Sequence, residues 1–362
     1  MCGRTACTLT PDEICKSVSS PKSRNNQNNA VNKQSQGNNS TKQRKATNFK
    51  CNQNSRRKEN RSIENMNKKQ EINFEIPTWI DHPGDYQYTP SVNVAPTRFT
   101  PVMCLDQTLR GVKRSVDDEK VQPKRIIQPM MWGLIPPFFK GSSAKEYNYK
   151  TNNCRIESIK ESKLYRPSIK RGKRCVVLVD GFYEWQTSKT GKSKQPYFVY
   201  SNQDKPEVKV WDRSSWNSDN LWSEEEGWRG PQMLKMAGLF SKWTSEDNEE
   251  IFSYTVLTMG SKGGFSSIHD RVPVILSNEE EIDMWLNPEV DYEKALDHFN
   301  PDPKVSYHPV SSQVNNSRNK ESDINNPVDP KIKVETSSSK FMTNWLNSSK
   351  DKRKDKQKYL RG

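Results

Sequence analysis

The chain has no run of about 18 consecutive apolar residues, so it holds no candidate membrane-spanning helix. It also lacks the apolar segment of a signal peptide, and an intracellular, reducing compartment is expected. Its seven cysteines are odd in number, irregularly spaced and never in a CxxC pair, which excludes a disulfide framework. The four histidines are scattered, so neither a zinc site nor another cofactor is expected. Hydrophobic residues make up only 31% of the 362, too few for one globular body of that length.

The shortage is local. Residues 17–72 hold 13 Lys/Arg against 3 Asp/Glu, with 13 Asn and almost no apolar periodicity. Such a segment cannot offset the entropy of its own ordering. It is expected to be a disordered basic insertion, tolerable because long loops add little closure entropy. It is either a nonspecific nucleic-acid arm or a solvated low-complexity expansion. Residues 312–362 hold 12 basic against 6 acidic side chains. The other 255 residues carry 33 against 35, so the net charge of +14 describes the flanking segments and not the core. Only local patches can then argue for DNA binding by the core, and Arg166, Lys170, Arg171, Lys173 and Arg174 form the densest one. A second, shorter insertion is expected at 201–230, where Trp211, Trp216, Trp222 and Trp228 argue for packing against the core.

What the core does have is short β-rich runs. Val92–Val94, Pro101–Leu105, Ile126–Trp132, Arg174–Val179, Tyr197–Tyr200, Met236–Phe240 and Ser253–Thr258 are predicted strands, punctuated by Gly, Pro and Asn. Helices are predicted over Pro11 to Lys16 and Glu279 to Leu286, the latter capped by Ser277-Asn278. Helices this few, not interleaved with strands, indicate an α+β fold of mainly antiparallel or mixed, barrel-like sheets.

The second residue is Cys2, in Met1-Cys2-Gly3-Arg4-Thr5. A side chain this small permits removal of the initiator Met, leaving an amine and a thiol on adjacent carbons. An α-amine has a pKa of ~7.7–8.0 against ~10.4 for lysine, so a sizeable fraction is nucleophilic at neutral pH. It can form an imine with an aldehyde, and the thiol can then close a five-membered thiazolidine with the advantage of a neighbouring group.

Four further segments stand out: Met131-Trp132-Gly133-Leu134-Ile135-Pro136, Tyr149–Glu157 around Asn152-Asn153-Cys154-Arg155, Val176–Trp185 ending in Gly181-Phe182-Tyr183-Glu184-Trp185, and Ile268–Leu276 with His269-Asp270-Arg271. With the opening Cys-Gly-Arg, this set resembles the SOS-response-associated peptidase (SRAP) family, and in particular its eukaryotic abasic-site-processing members. The resemblance spans about residues 2–319 and implies a single domain of curved sheets flanked by helices, with Cys2 in a central cleft.

The resemblance also implies roles. Cys2 is the nucleophile, and Asn153 holds its amine. Glu184 serves ring opening and proton transfer, which suits a carboxylate enclosed by aromatics. His269 lies beside the sugar, where imidazole can donate or accept at neutral pH. Arg4, Arg155 and Arg271 are phosphate candidates. Asn93 and Pro96 line the site loop. Trp132 and Trp185 are candidates for stacking on unpaired bases, with core packing as the alternative. One departure is Val272 before Pro273, where Met is common in the family; only local repacking is expected.

Residues 320–362 are expected to be a disordered basic tail. Ile332-Lys333-Val334-Glu335 has the form of a SUMO acceptor. Met342-Thr343-Asn344-Trp345-Leu346 resembles a sliding-clamp-binding box, with Ser339 at the usual Gln position. Lys350–Lys356 is a candidate nuclear address.

The function implied is capture of abasic sites in single-stranded DNA by a monomer, as a protective covalent crosslink, with lyase or autopeptidase activity as side reactions. Two alternatives stay open. A cysteine peptidase would use Cys2 with His269 and need only the thiol. A noncovalent reader of modified bases would need neither the thiol nor the amine.

Overall fold

A computed structural model describes residues 3–21, 73–84, 86–112, 123–187, 194–216 and 220–331. In chain order the strands are β1 (Thr5–Cys7), β2 (Ser20–Pro21), β3 (Phe74–Glu75), β4 (Thr78–Trp79), β5 (Ser91–Val94) and β6 (Phe99–Leu105). Next come β7 (Arg125–Trp132), β8 (Asn153–Arg155), β9 (Arg174–Val179), β10 (Gly181–Thr187) and β11 (Lys194–Ser201). The last are β12 (Trp222–Ser223), β13 (Gly227–Trp228), β14 (Leu234–Thr244), β15 (Glu250–Gly260), β16 (Arg271–Pro273) and β17 (Val305–Pro309). The helices are α1 (Pro11–Ser17), α2 (Asp106–Arg110), α3 (Arg166–Lys170), α4 (Glu279–Leu286) and α5 (Tyr292–His298). None is long and apolar enough to cross a membrane.

Five strands close a barrel. β15 pairs with β14, β14 with β9, β9 with β6 and β6 with β7, all antiparallel. β7 then returns parallel to β15, with Ser253 opposite Met131 and Tyr254 opposite Trp132. Closure removes the edges that open sheets expose. The Val-Val-Leu-Val run of β9 is buried along its whole length, as expected for a strand covered on both faces. The five described cysteines other than Cys2 and Cys51 are buried thiols.

A second sheet runs in the order β17-β11-β10-β1-β5. β10 follows β9 after Asp180 alone, so it joins the two sheets directly. Gly181 is required at this corner, because a Cβ there would lie 2.4 Å from the Val199 carbonyl oxygen. β1 sits between β10 and β5, with Thr5 opposite both Phe182 and Val94. α1 is opened by a capping box in which Thr10 and Glu13 satisfy each other's backbone amides.

All seven predicted strands are present, most of them longer than expected. Two boundaries move. The fold does not break at residue 17: Ser17 and Val18 are buried, and β2 pairs with β3, Ser20 opposite Glu75. Residues 22–72 lie outside the described residues, and this pairing brings their two flanks together. The expected tail also starts later than 320. Ile324 and Asn325 are buried, and the Val328 amide donates to the Pro309 carbonyl at 2.9 Å, because this segment covers the β11–β17 side of the second sheet. In segment 201–230, Trp216 is buried in the core and Trp222 pairs with Trp228 across a two-stranded hairpin.

Candidate functional site

Cys2 itself lies outside the described residues. Gly3 and Arg4 lead into β1, and the Arg4 carbonyl accepts from the Tyr183 amide at 2.9 Å. The antiparallel register on both sides directs the start of β1 toward Glu184 on β10 and toward the turn that follows β5.

Side chains alternate along β10, so Glu184 and Gln186 share one face while Tyr183 and Trp185 share the other. Gln186 Nε2 donates to the Ser267 carbonyl at 2.8 Å, which tethers the loop before His269. Glu184 is 3% exposed, and its Oε1 lies 3.8 Å from His269 Nε2. That distance is beyond a direct hydrogen bond, and such pairs commonly tighten when substrate binds. The other ring nitrogen, Nδ1, accepts from the Arg271 amide at 3.0 Å but also lies 2.8 Å from Asp270 Oδ1. The backbone amide can only donate, whereas the Asp270 side chain is exposed and can rotate away; the amide therefore sets the tautomer. Neutral His269 then carries its proton on Nε2, facing Glu184.

Asn153 and Arg155 lie on β8, which runs parallel to β15, with Asn153 opposite Val256 and Arg155 opposite Thr258. The Asn153 carbonyl accepts from Tyr165 Oη at 3.1 Å. Arg155 is exposed, and among the described residues its guanidinium faces no carboxylate, as a phosphate contact requires.

Several other residues expected to touch DNA are committed elsewhere. Trp132 is 0% exposed: its Nε1 donates to the Asn152 carbonyl at 3.0 Å, and its ring stacks parallel to Tyr254. It positions the Asn152-Asn153 segment and cannot stack on a base. Asn93 is equally buried, donating from Nδ2 to the carbonyls of Val314, Asn316 and Asn319 at 3.3, 3.1 and 3.0 Å. Arg4 Nη1 donates to Asn93 Oδ1 and to the Val314 carbonyl. The Arg271 fork is filled by Glu157, at 2.6 and 2.9 Å, and holds that carboxylate below its usual range. It fastens the His269 loop to the turn that follows β8 instead of facing solvent. Trp185 is half-buried, with Nε1 donating to Asn315 Oδ1 at 2.7 Å. The basic patch also shrinks. Arg174 is buried over Trp285, donating to the Trp285 and Val290 carbonyls, and burial pulls its pKa down to about 10. Val272 is buried opposite Met259.

Pro96 lines a cleft of about 610 Å³ with Thr97, Gly133, Thr151 and Asn152. Its outer wall is Tyr147, Tyr149, Lys145 and Lys150. Tyr149 is 73% exposed and lies 5.1 Å from Tyr147, ring centre to ring centre. These aromatic and basic side chains are absent from the sequence-based candidates. Their signal is the alternation Tyr147-Asn148-Tyr149-Lys150 just before Asn152-Asn153. Rings with alternating cations suit an unpaired strand. Lys333, Met342, Trp345, Leu346 and Lys350–Lys356 lie outside the described residues.

Comparison with known proteins finds similar sequences over most of the chain. The chain is 38% identical over 283 residues to the rat protein named "Abasic site processing protein HMCES", covering 77% of this chain and 76% of that one. It is 34% identical over 360 residues to the Xenopus tropicalis protein of the same name, covering 98% and 88%. A Bacillus subtilis protein, "Abasic site processing protein YoqW", is 29% identical over 64% of this chain and 84% of its own. The family model described as SOS response associated peptidase (SRAP) matches residues 1–317, and the chain belongs to that family.

Proposed function

We propose that this protein processes abasic sites, capturing them covalently in single-stranded DNA through the aminothiol of a mature N-terminal Cys2. The observation that carries this reading is the register of β1 between β10 and β5, which points the N-terminus toward Glu184, 3.8 Å from His269, and toward Pro96, a residue that lines the cleft walled by Tyr149 and Lys150. The names of the relatives support the substrate class.

An abasic deoxyribose equilibrates with its open aldehyde. The Cys2 amine adds to C1′ and water leaves, giving the imine. The thiol sulfur then adds to the same carbon, and its proton passes to nitrogen, closing the thiazolidine. Each step moves a proton, and in this reading Glu184 and His269 carry it. Arg155 holds a flanking phosphate, and Tyr149 stacks on a neighbouring base.

Intact mass spectrometry after incubation with abasic single-stranded DNA tests the reading. The expected product is protein lacking Met1 plus oligonucleotide, less one water. A permanently blocked N-terminus should abolish it. Crosslinking that survives the block would overturn the mechanism. Cleavage of peptides by such a blocked protein would instead favour a peptidase using Cys2 and His269, which needs the thiol alone.

A further inference from the structure

A second groove, of about 650 Å³, lies on the other side of the turn after β5. Its lining includes Arg98, Lys320, Thr8, Ser91 and Ser322 and, among the described residues, no Asp or Glu. It shares Tyr86, Thr97 and Phe99 with the cleft described above. Tyr86 and Phe99 stack at 4.5 Å between ring centres, within 16° of parallel, and so form the ridge where the two grooves meet. Thr97, on that ridge, is held at φ 73° with its amide donating to the Trp132 carbonyl at 2.7 Å.

The groove gathers cations. Arg98 and Lys320 are exposed, and among the described residues neither forms an ion pair with a carboxylate. Lys320 reaches the Asn93 carbonyl beneath the groove. Its pKa is lowered by burial first and then by the nearby charges of Arg98 and Arg4, so three cations crowd one spot. Outside its flanks the chain is near neutral. Cations gathered without counter-charges repel one another, and a bound polyanion relieves that cost.

We propose that this groove binds the sugar-phosphate backbone of the same DNA strand, one or two nucleotides from the lesion, with Arg98 and Lys320 each on a phosphate and the Tyr86–Phe99 ridge between the two sites. The inference rests on the proposed function for its choice of polyanion. The hydroxyls of Ser91 and Ser322 supply donors that suit phosphate and sugar oxygens without reading a base, so the groove is indifferent to sequence.

The test uses the full chain and undamaged single-stranded oligonucleotides, comparing wild type with Arg98→Ala/Lys320→Gln. Gln keeps a donor for the Asn93 carbonyl while removing the charge, and melting curves verify the fold. The basic flanks are present in both proteins, so their contribution cancels. Each phosphate neutralised on a single strand contributes about 0.7 to the slope of log affinity against log salt. Wild type should therefore be steeper by about 1.4, losing about sevenfold more affinity than the variant between roughly 50 and 200 mM salt. With an abasic oligonucleotide, whose lesion fixes the register, lengthening from one end should raise wild-type capture at limiting DNA more than the variant's, and the productive end identifies the side of the lesion. Equal slopes, or equal gains from both extensions in both proteins, would overturn the inference. Wild-type capture of a short abasic oligonucleotide reports the proposed function separately. Its failure beside a changed slope would leave a nucleic-acid groove without that chemistry.

Discussion

Arg4 Nη1 donates to Asn93 Oδ1 at 2.8 Å, while the Asn93 amide nitrogen is spent on three carbonyls between Val314 and Asn319. Both residues stand among the sequence-based candidates for DNA contact. Their geometry makes them the link between the N-terminal strand and a segment more than 300 residues downstream.

Asn93→Ala should therefore act on position and stability together. It leaves three carbonyls and the Arg4 guanidinium short of partners inside the protein, at a cost of about 2–4 kcal/mol. Urea denaturation should show that loss, and single-turnover capture should slow while affinity for undamaged DNA stays close to wild type. A selective loss of affinity with normal stability would return Asn93 to the DNA interface.

Glu184→Gln and His269→Ala address proton transfer. Each should slow capture by about 10²–10⁴-fold with little effect on binding. The double variant should fall well short of the product of the two losses, since one pair shares the proton. Rates within about twofold of wild type for both single variants would remove the pair from the chemistry.

Asp180 predicts a pH dependence. Burial raises its carboxyl to about 6, despite hydrogen bonds from the Thr8 amide and hydroxyl that favour the charged form. An unfolded Asp titrates near ~3.9, so the folded chain holds this proton more tightly. Its stabilising contribution is complete below pH ~4 and is lost as pH rises through about 6, by ~3 kcal/mol. Asp180→Asn cannot ionise, so its stability relative to wild type should improve by up to that amount from about pH 4 to 7. Glu13 and Glu157, whose pKa values are lowered by Arg213 and Arg271, pull the other way in both proteins and cancel. A difference that stays constant with pH would show that Asp180 is ionised throughout.

Cys2→Ser separates amine from thiol. Serine is small enough for Met removal, so the imine should form, but a hydroxyl closes the ring poorly. Borohydride should trap the variant on abasic DNA, whereas little adduct should survive denaturation without it. The unlocked imine acidifies the adjacent sugar proton, so the variant should nick DNA more than wild type. An equally stable unreduced adduct would show that sulfur does not hold the crosslink.

The barrel was legible because β-branched runs such as Val176–Val179 have one low-energy use, a covered strand. Two sequence candidates, Glu184 and His269, do come together, at 3.8 Å. The site was not legible for Trp132, Arg4, Asn93 and Arg271, whose types suit DNA and whose hydrogen bonds serve the fold. A sequence lists donors but not which carbonyl lies 3 Å away. Arg98 and Lys320 were missed for the opposite reason: 222 residues separate them, and only the strap at 314–328 brings them to one groove.

That strap has a consequence for timing during synthesis. The N-terminus leaves the ribosome first, yet the carbonyl of Val314 that completes the Arg4 contacts is made some 310 residues later. β1 must also wait for β10 before both its edges are paired. Under the proposed mechanism, the Cys2 aminothiol would therefore be present on the nascent chain well before these contacts are assembled. The order of translation leaves it open to stray small aldehydes first and to DNA last.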